Sequence, residues 1–103
     1  AGPKPLVAVP LPDADRDRLP GVYDLVPPGG GKFVIHIMVE NGQVMTQAEG
    51  QGQGKFPLVY LGNLQFGAAF DPSLRVTFIS ENGAITKMRL EQGGGTMEGA
   101  RRP

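Results

Sequence analysis

Apolar and polar residues alternate along most of this chain with the two-residue period of a β-strand. Short segments rich in glycine, proline, asparagine and aspartate separate the alternating runs, and such segments are typical of turns. Because the connections are short, consecutive strands are expected to pair antiparallel in a meander. The pattern predicts about eight strands, at residues 21–26, 32–40, 43–49, 56–61, 64–70, 74–79, 86–91 and 96–101.

Several of the connections have a specific turn chemistry. Asn41-Gly42 and Asn82-Gly83 each predict a tight hairpin, because both residues tolerate the positive φ angles of a type I′ turn. Gly62-Asn63 and Asp71-Pro72 are predicted as further turns. Pro57 has no N–H for a ladder, so it is expected at the start of its strand or on a sheet edge.

The predicted seventh strand contains an irregularity. Ile85 is out of phase with Met88 and Leu90, which indicates a bulge near Thr86 or Lys87. A meander of about eight strands can hide its edges by closing into an up-and-down barrel. The interior of such a barrel is either filled by side chains or holds one small ligand, and the sequence leaves both alternatives open.

The beginning of the chain differs from the strand region. Residues 1–12 contain four prolines and are interpreted as an extended lead-in or linker. Residues 13–19 are the one helix-like stretch, with Asp13 as the expected cap and Pro20 as its stop. The sequence therefore predicts a single all-β domain over residues 13–102 that begins with one short helix.

Composition excludes some function classes. The 103 residues include 10 basic and 10 acidic side chains, which argues against a nucleic-acid partner and permits self-association. There is no cysteine, and no apolar run approaches the ~18 residues needed to span a membrane. Because the chain starts at Ala1 rather than methionine, we expect a mature exported protein or an excised C-terminal domain.

No catalytic constellation is evident. The chain has only Ser73 and Ser80 as serines and His36 as histidine, in none of the known nucleophile motifs. The acidic repeat in residues 13–17 lacks the glycine of a calcium loop, and residues 29–32 and 50–54 lack the helix that follows a phosphate loop. We therefore predict no catalytic residue, no metal site and no cofactor.

Aromatic side chains are spread over most of the predicted strands, and core packing is the default interpretation. If the barrel is hollow, residue type selects Tyr23, His36, Tyr60 and Phe66 as candidates for a ligand-binding mouth. The alternation of the strand weakens the case for His36 as a mouth residue, because the residues on either side of it point to the opposite face. A hydrogen-bonded or solvent-facing histidine is the favoured interpretation of that residue.

Four segments together resemble a recurrent pattern. They are residues 21–25 (GVYDL), 55–58 (KFPL), 76–78 (VTF) and 82–94 (NGAITKMRLEQGG). The chain is similar over roughly residues 6–102 to a lipocalin-like domain of unknown function. That domain commonly follows the catalytic domain of serine β-lactamase-like or penicillin-binding-protein-like peptidases.

The resemblance implies an eight-stranded lipocalin-like barrel after a short helix, in a periplasmic or secreted bacterial protein. It implies a non-catalytic accessory or interaction domain, whose partner is an upstream serine hydrolase domain or a second copy of the chain. The Ser-x-x-Lys and Lys-Thr-Gly motifs of those enzymes belong to the upstream domain and do not occur here. The alternative is a free barrel that binds a small apolar or peptide-like molecule, and a free-standing enzyme ranks far behind both.

Overall fold

The computed structural model describes residues 9–49, 54–69 and 71–102. Within them the chain forms one helix, α1 (Asp13–Arg16), and a single antiparallel sheet. The prediction of an all-β fold with one short N-terminal helix is therefore confirmed. The strands of the sheet are β1 (Gly21–Val26), β2 (Phe33–Glu40), β3 (Gln43–Ala48), β4 (Phe56–Pro57), β5 (Val59–Gly62), β6 (Gln65–Ala68), β7 (Asp71–Glu81), β8 (Ala84–Gln92) and β9 (Gly95–Arg101).

The sheet curves into a nearly closed barrel. Its strand order is β4-β3-β2-β1-β9-β8-β7-β6-β5, so the first and last strands of the chain pair with each other. The two strands at the ends of this order, β4 and β5, are separated in sequence only by Leu58. Leu58 donates its N–H to the Val44 carbonyl at 2.9 Å, which continues the contact with β3. Counted as one bent strand, β4 and β5 complete the eight strands predicted.

The bend replaces the continuous strand predicted over residues 56–61. Pro57 pairs with Met45 of β3, whereas Tyr60, three residues later, pairs with Phe66 of β6. A strand that must change partners cannot keep one straight ladder, and a proline without an N–H weakens the pairing just before the change. The expected place of Pro57 is confirmed, because β4 is an end strand of the sheet.

The two Asn-Gly hairpins are confirmed. Asn41 and Gly42 have φ angles of 52° and 78°, and Asn82 and Gly83 have 53° and 81°. Both turns join directly paired strands with two connecting residues. The backbone twist of such turns matches that of the strands. The two turn residues therefore determine which residues of the flanking strands pair with each other.

Two other predicted turns are displaced. The turn between β5 and β6 is centred on Asn63 and Leu64, at φ angles of 54° and 61°, rather than on Gly62-Asn63. Leucine seldom adopts this conformation, and its half-buried side chain packs against the core. The turn predicted at Asp71-Pro72 is wrong, because β7 begins at Asp71, which pairs with Ala68.

The predicted bulge lies in β8. Ile79 pairs with Lys87 and Ser80 pairs with Ile85, which leaves Thr86 as the extra residue. The bulge lets apolar side chains on both sides of it point into the barrel despite their uneven spacing. It confirms the expectation drawn from the phase of the apolar residues.

The segment around α1 covers one end of the barrel. The helix begins after Pro12, which has no side-chain capping bond, so the cap predicted at Asp13 is wrong. Leu19 follows the helix and is fully buried. Arg18 donates from Nη1 to the carbonyl of Gly83 at 2.8 Å, which links this segment to the hairpin turn between β7 and β8.

Some of the predictions lie outside the described residues. They concern residues 1–8 of the lead-in, residues 50–53 of the glycine-rich connection, and Phe70. The described end of the lead-in contacts the barrel, because Val9 donates its N–H to the Tyr60 carbonyl at 3.0 Å. In the described part of the chain no helix is long and apolar enough to cross a lipid bilayer.

Arg101 ties the last strand to the segment that follows α1. Its guanidinium donates from Nη1 to the Arg18 carbonyl at 3.3 Å, and from Nη2 to the Pro20 carbonyl at 2.5 Å. A third contact, at 3.5 Å, runs from Nη1 to the Ile85 carbonyl. This half-buried side chain therefore contacts three carbonyls from two parts of the covered end, the segment after α1 and strand β8.

We expect Arg101→Met to lower the free energy of unfolding by about 2 kcal/mol, because hydrogen bonds from a charged donor are worth roughly 1.5–3 kcal/mol. Arg102→Met is the matched control, since Arg102 pairs with Asp24 on the exposed surface, where ion pairs contribute little. Urea titration followed by circular dichroism measures both. Equal midpoints for the two variants would contradict a special role for Arg101.

Candidate ligand-binding cavity

The two ends of the barrel differ. At the closed end, two-residue turns at 41–42, 63–64 and 82–83 join the strands, and the α1 segment lies over the first and last of these turns, with Arg16 beside Gly42 and Arg18 bonded to Gly83. At the open end the strands are joined by the β1–β2, β3–β4, β6–β7 and β8–β9 connections. Residues 27–32 of the first connection are exposed or half-buried and include three consecutive glycines.

A cavity of about 340 Å³ occupies the interior at the open end. Its buried wall is apolar and comes from β2, β7, β8 and the β4–β5 bend, and its rim comes from the strand ends. The wall residues are Ile35, Leu58, Leu74, Val76, Met88 and Leu90, and the rim residues are Phe33, Ala48, Phe56, Gln92 and Met97. The barrel is thus neither completely filled nor hollow throughout.

Thr46 and Gln92 are the polar residues of this lining, and no lining residue is ionisable. Thr46 lies in β3, between the inward-facing Val44 and Ala48, and is 5% exposed. Gln92 ends β8 and is exposed. A pocket with a mostly apolar lining and few polar groups is suited to an apolar molecule.

A polar cluster stabilises the rim beside Gln92. Gln92 donates from Nε2 to Asp71 Oδ2 at 2.8 Å, and Ser73 donates from its hydroxyl to Asp71 Oδ1 at 2.7 Å. The bond from Gln92, followed by the bonds from Ser73, holds the pKa of the Asp71 carboxyl below its usual value. Gly93 donates its N–H to Ser73 Oγ at 3.3 Å, so the cluster joins the β8–β9 turn to the start of β7.

The structure places three of the four predicted mouth residues in one aromatic cluster. Tyr23 and Phe66 are fully buried, and each contacts Phe78, with ring centroids 5.6 and 5.5 Å apart. Tyr60 stacks at a tilt against Phe66 at 5.0 Å. The cluster fills the interior toward the closed end, and none of its members lines the cavity at the open end.

Tyr60 and Phe66 do line a second cavity, of about 320 Å³, together with Val9 and Leu11 of the segment before α1. Tyr23 is held by a hydrogen bond from its hydroxyl to the Leu19 carbonyl at 2.7 Å. Burial raises the pKa of the Tyr23 phenol to about 12, against the opposing effect of the Arg101 charge. The role of Tyr23 in the described structure is therefore packing at the closed end.

His36 lies on the outside of the barrel. Its neighbours Ile35 and Ile37 are buried in the interior, whereas its own side chain is 38% exposed. Its Nε2 lies 2.9 Å from Glu49 Oε2. This is the hydrogen-bonded surface histidine favoured by strand alternation, and it does not meet the other three candidates.

Other candidate chemistry gains no support from the geometry. Ser73 is engaged with Asp71 at the rim. Across the described ranges, no three histidine, aspartate or glutamate side chains are grouped so that they could hold a metal ion. The repeated aspartates near α1 instead pair with arginines, as in the contact between Asp13 Oδ1 and Arg16 Nη1 at 3.1 Å.

Sequence reasoning missed Thr46 and Gln92. Threonine is common in strands, so the alternation of Val44, Thr46 and Ala48 indicates an inward face but not an unusual side chain. Gln92 lies beside the glycines of a turn, where a polar residue is expected. Only the assembled barrel shows that both residues border the same cavity.

Fold and cavity together define a class, the small up-and-down β-barrel with an apolar interior pocket open at one end. Comparisons with protein-family models, with curated proteins and with solved structures gave no match. The resemblance to a lipocalin-like domain associated with serine hydrolases therefore stays a prediction.

Proposed function

We propose that this protein is a non-catalytic binding barrel that takes one small apolar molecule through its open end. The observation that carries the proposal is the cavity of about 340 Å³ with its apolar wall. Binding pockets for small molecules typically measure 300–1,000 Å³ and are mostly apolar. Removing apolar ligand surface from water would supply the binding free energy, at roughly 25 cal/mol per Å².

The test is titration with the neutral fluorescent probe N-phenyl-1-naphthylamine. We expect saturable binding, and we expect Ala48→Phe to raise the dissociation constant about tenfold or more, because the larger ring would occupy the rim of the cavity. Met45→Phe is the matched control, since Met45 lies on the same strand and points to the opposite face. Binding that is equally strong in both variants would contradict a site in the barrel interior.

The accessory role in a larger exported protein is a separate proposal. It is supported by the resemblance of the sequence motifs and by the lack of a catalytic motif in the chain. Its test is the complete gene: an upstream reading frame with a Ser-x-x-Lys motif would support it. A signal peptide directly before residue 1 would weaken it and would favour the free binding barrel.

A further inference from the structure

Thr46 is a buried polar residue in an otherwise apolar wall. It is 5% exposed and is the one polar residue among the buried side chains of the described chain. Phe56, its partner across the β3–β4 pair, also borders the cavity, and so does Ala48 on the same face of β3. A valine would fill the same volume without a hydroxyl group, so the position does not need a polar side chain for packing.

The Thr46 hydroxyl has no hydrogen-bond partner within the described residues, whereas the hydroxyls of Tyr23, Ser73 and Thr86 each donate one. No side-chain polar atom in the described chain is both fully enclosed and unbonded. The Thr46 oxygen is therefore reached from the cavity that the residue lines. A ligand that covers this oxygen without pairing with it would leave a polar group unpaired in an apolar surrounding, which is unfavourable, whereas a ligand group that pairs with it avoids that cost.

The lining also restricts the charge of the ligand. No residue that borders the cavity is ionisable, so nothing in the wall could compensate a buried ion. Taking an unpaired charge out of water is far more costly than burying a neutral hydroxyl or carbonyl. The part of the ligand that enters the cavity must then be uncharged.

We propose that the ligand is a compact, neutral, mostly hydrocarbon molecule with one hydroxyl or carbonyl group, and that Thr46 binds this group inside the barrel. This inference rests on the proposed binding function and adds the chemical class of the ligand. The Thr46 hydroxyl can donate to a carbonyl or accept from a hydroxyl. Gln92 is exposed at the rim and gives one Nε2 hydrogen to Asp71, so Thr46 is the polar contact deeper in the cavity.

The test compares two ligands of matched shape, 2-naphthol and 2-methylnaphthalene, in the unmodified protein and in Thr46→Val by two-dimensional NMR titration. We expect Thr46→Val to weaken the binding of 2-naphthol about tenfold, because the hydrogen bond is lost and the ligand hydroxyl is left unpaired. Binding of 2-methylnaphthalene should stay the same or tighten. Thr77→Val is the matched control, because Thr77 lies on the outer face of β7 between the buried Val76 and Phe78.

Each other outcome counts against the inference in a distinct way. If both ligands bind and Thr46→Val changes them equally, the cavity binds apolar molecules but Thr46 does not select a polar group. If Thr46→Val loses its fold, the hydroxyl has a structural role instead. If 2-naphthoate binds as tightly as 2-naphthol, the restriction to neutral ligands is wrong. If neither neutral ligand binds the unmodified protein, the proposed binding function itself fails, and this inference fails with it.

Discussion

Gly99→Ala is expected to destabilise the protein by about 4 kcal/mol or more, at the extreme end of the range for single substitutions. Gly99 lies in β9 and pairs with Leu25 of β1, at the junction where the first and last strands close the barrel. A Cβ atom at this position would overlap the Asp24 carbonyl oxygen and would lie 2.6 Å from the Leu25 Cα. Both are backbone atoms, so no side-chain rotation could relieve the overlap.

In Gly99→Ala, strands β1 and β9 would have to separate, and the barrel would open between them. Because a typical domain is stable by only 5–15 kcal/mol, we expect Gly99→Ala to be largely unfolded or strongly shifted to a lower melting temperature. Circular dichroism during urea and thermal unfolding measures the change.

Gly95→Ala is the matched control in the same strand. A Cβ atom there would meet only the Gln92 carbonyl oxygen, at 3.6 Å, which is an ordinary contact. We expect this variant to differ little from the unmodified protein. An equal unfolding midpoint for Gly99→Ala and Gly95→Ala would show that β1 and β9 do not approach as closely as described.

The elements that sequence reasoning placed correctly are those determined by neighbours in the chain. The hairpins at Asn41-Gly42 and Asn82-Gly83 need only two residues that tolerate positive φ. The bulge at Thr86 follows from the apolar phase of one strand. Such features depend on local sterics and on which face of a strand is apolar, and both can be read from a short stretch of sequence.

The elements that sequence reasoning misplaced depend on distant parts of the chain. At Leu58 the chain changes its partner strand from β3 to β6; Pro57 indicates a weak point in the pairing, but residues 56–61 do not specify the new partner. Leu64 adopts a positive φ of 61° although it is not a turn residue, because its side chain packs against the core. Tertiary packing overrides local preference in both cases.

The candidate site also combines features set by neighbouring residues with features set by distant parts of the chain. Alternation correctly separates the outward His36 from the inward Ile35 and Ile37. It does not specify how far along the barrel axis a side chain lies, so Tyr23 and Phe66 could not be distinguished from residues at the open end. Depth depends on the stagger of the strands around the barrel, which is a property of the whole sheet.

Tyr23 makes the stability of the fold sensitive to alkaline pH. Burial raises its pKa to about 12 in the folded protein, whereas an unfolded tyrosine titrates near 10. Folding therefore favours the neutral phenol. The resulting contribution to the free energy of unfolding is fully present below pH 10 and is lost as the pH rises from 10 to 12. Two pKa units correspond to about 3 kcal/mol. We expect the free energy of unfolding to fall by up to that amount over this interval.

Tyr23→Phe separates this titration from other alkaline effects. At neutral pH the variant should be less stable by about 1–2 kcal/mol, because the buried Leu19 carbonyl loses the hydrogen bond from the Tyr23 hydroxyl. Between pH 10 and 12 that difference should shrink and then reverse, since phenylalanine has no proton to lose. Tyr60→Phe, which alters the half-buried ring stacked on Phe66 and leaves Tyr23 in place, should keep the profile of the unmodified protein. Parallel pH profiles for Tyr23→Phe and the unmodified protein, from urea titrations at each pH, would rule out Tyr23 as the cause.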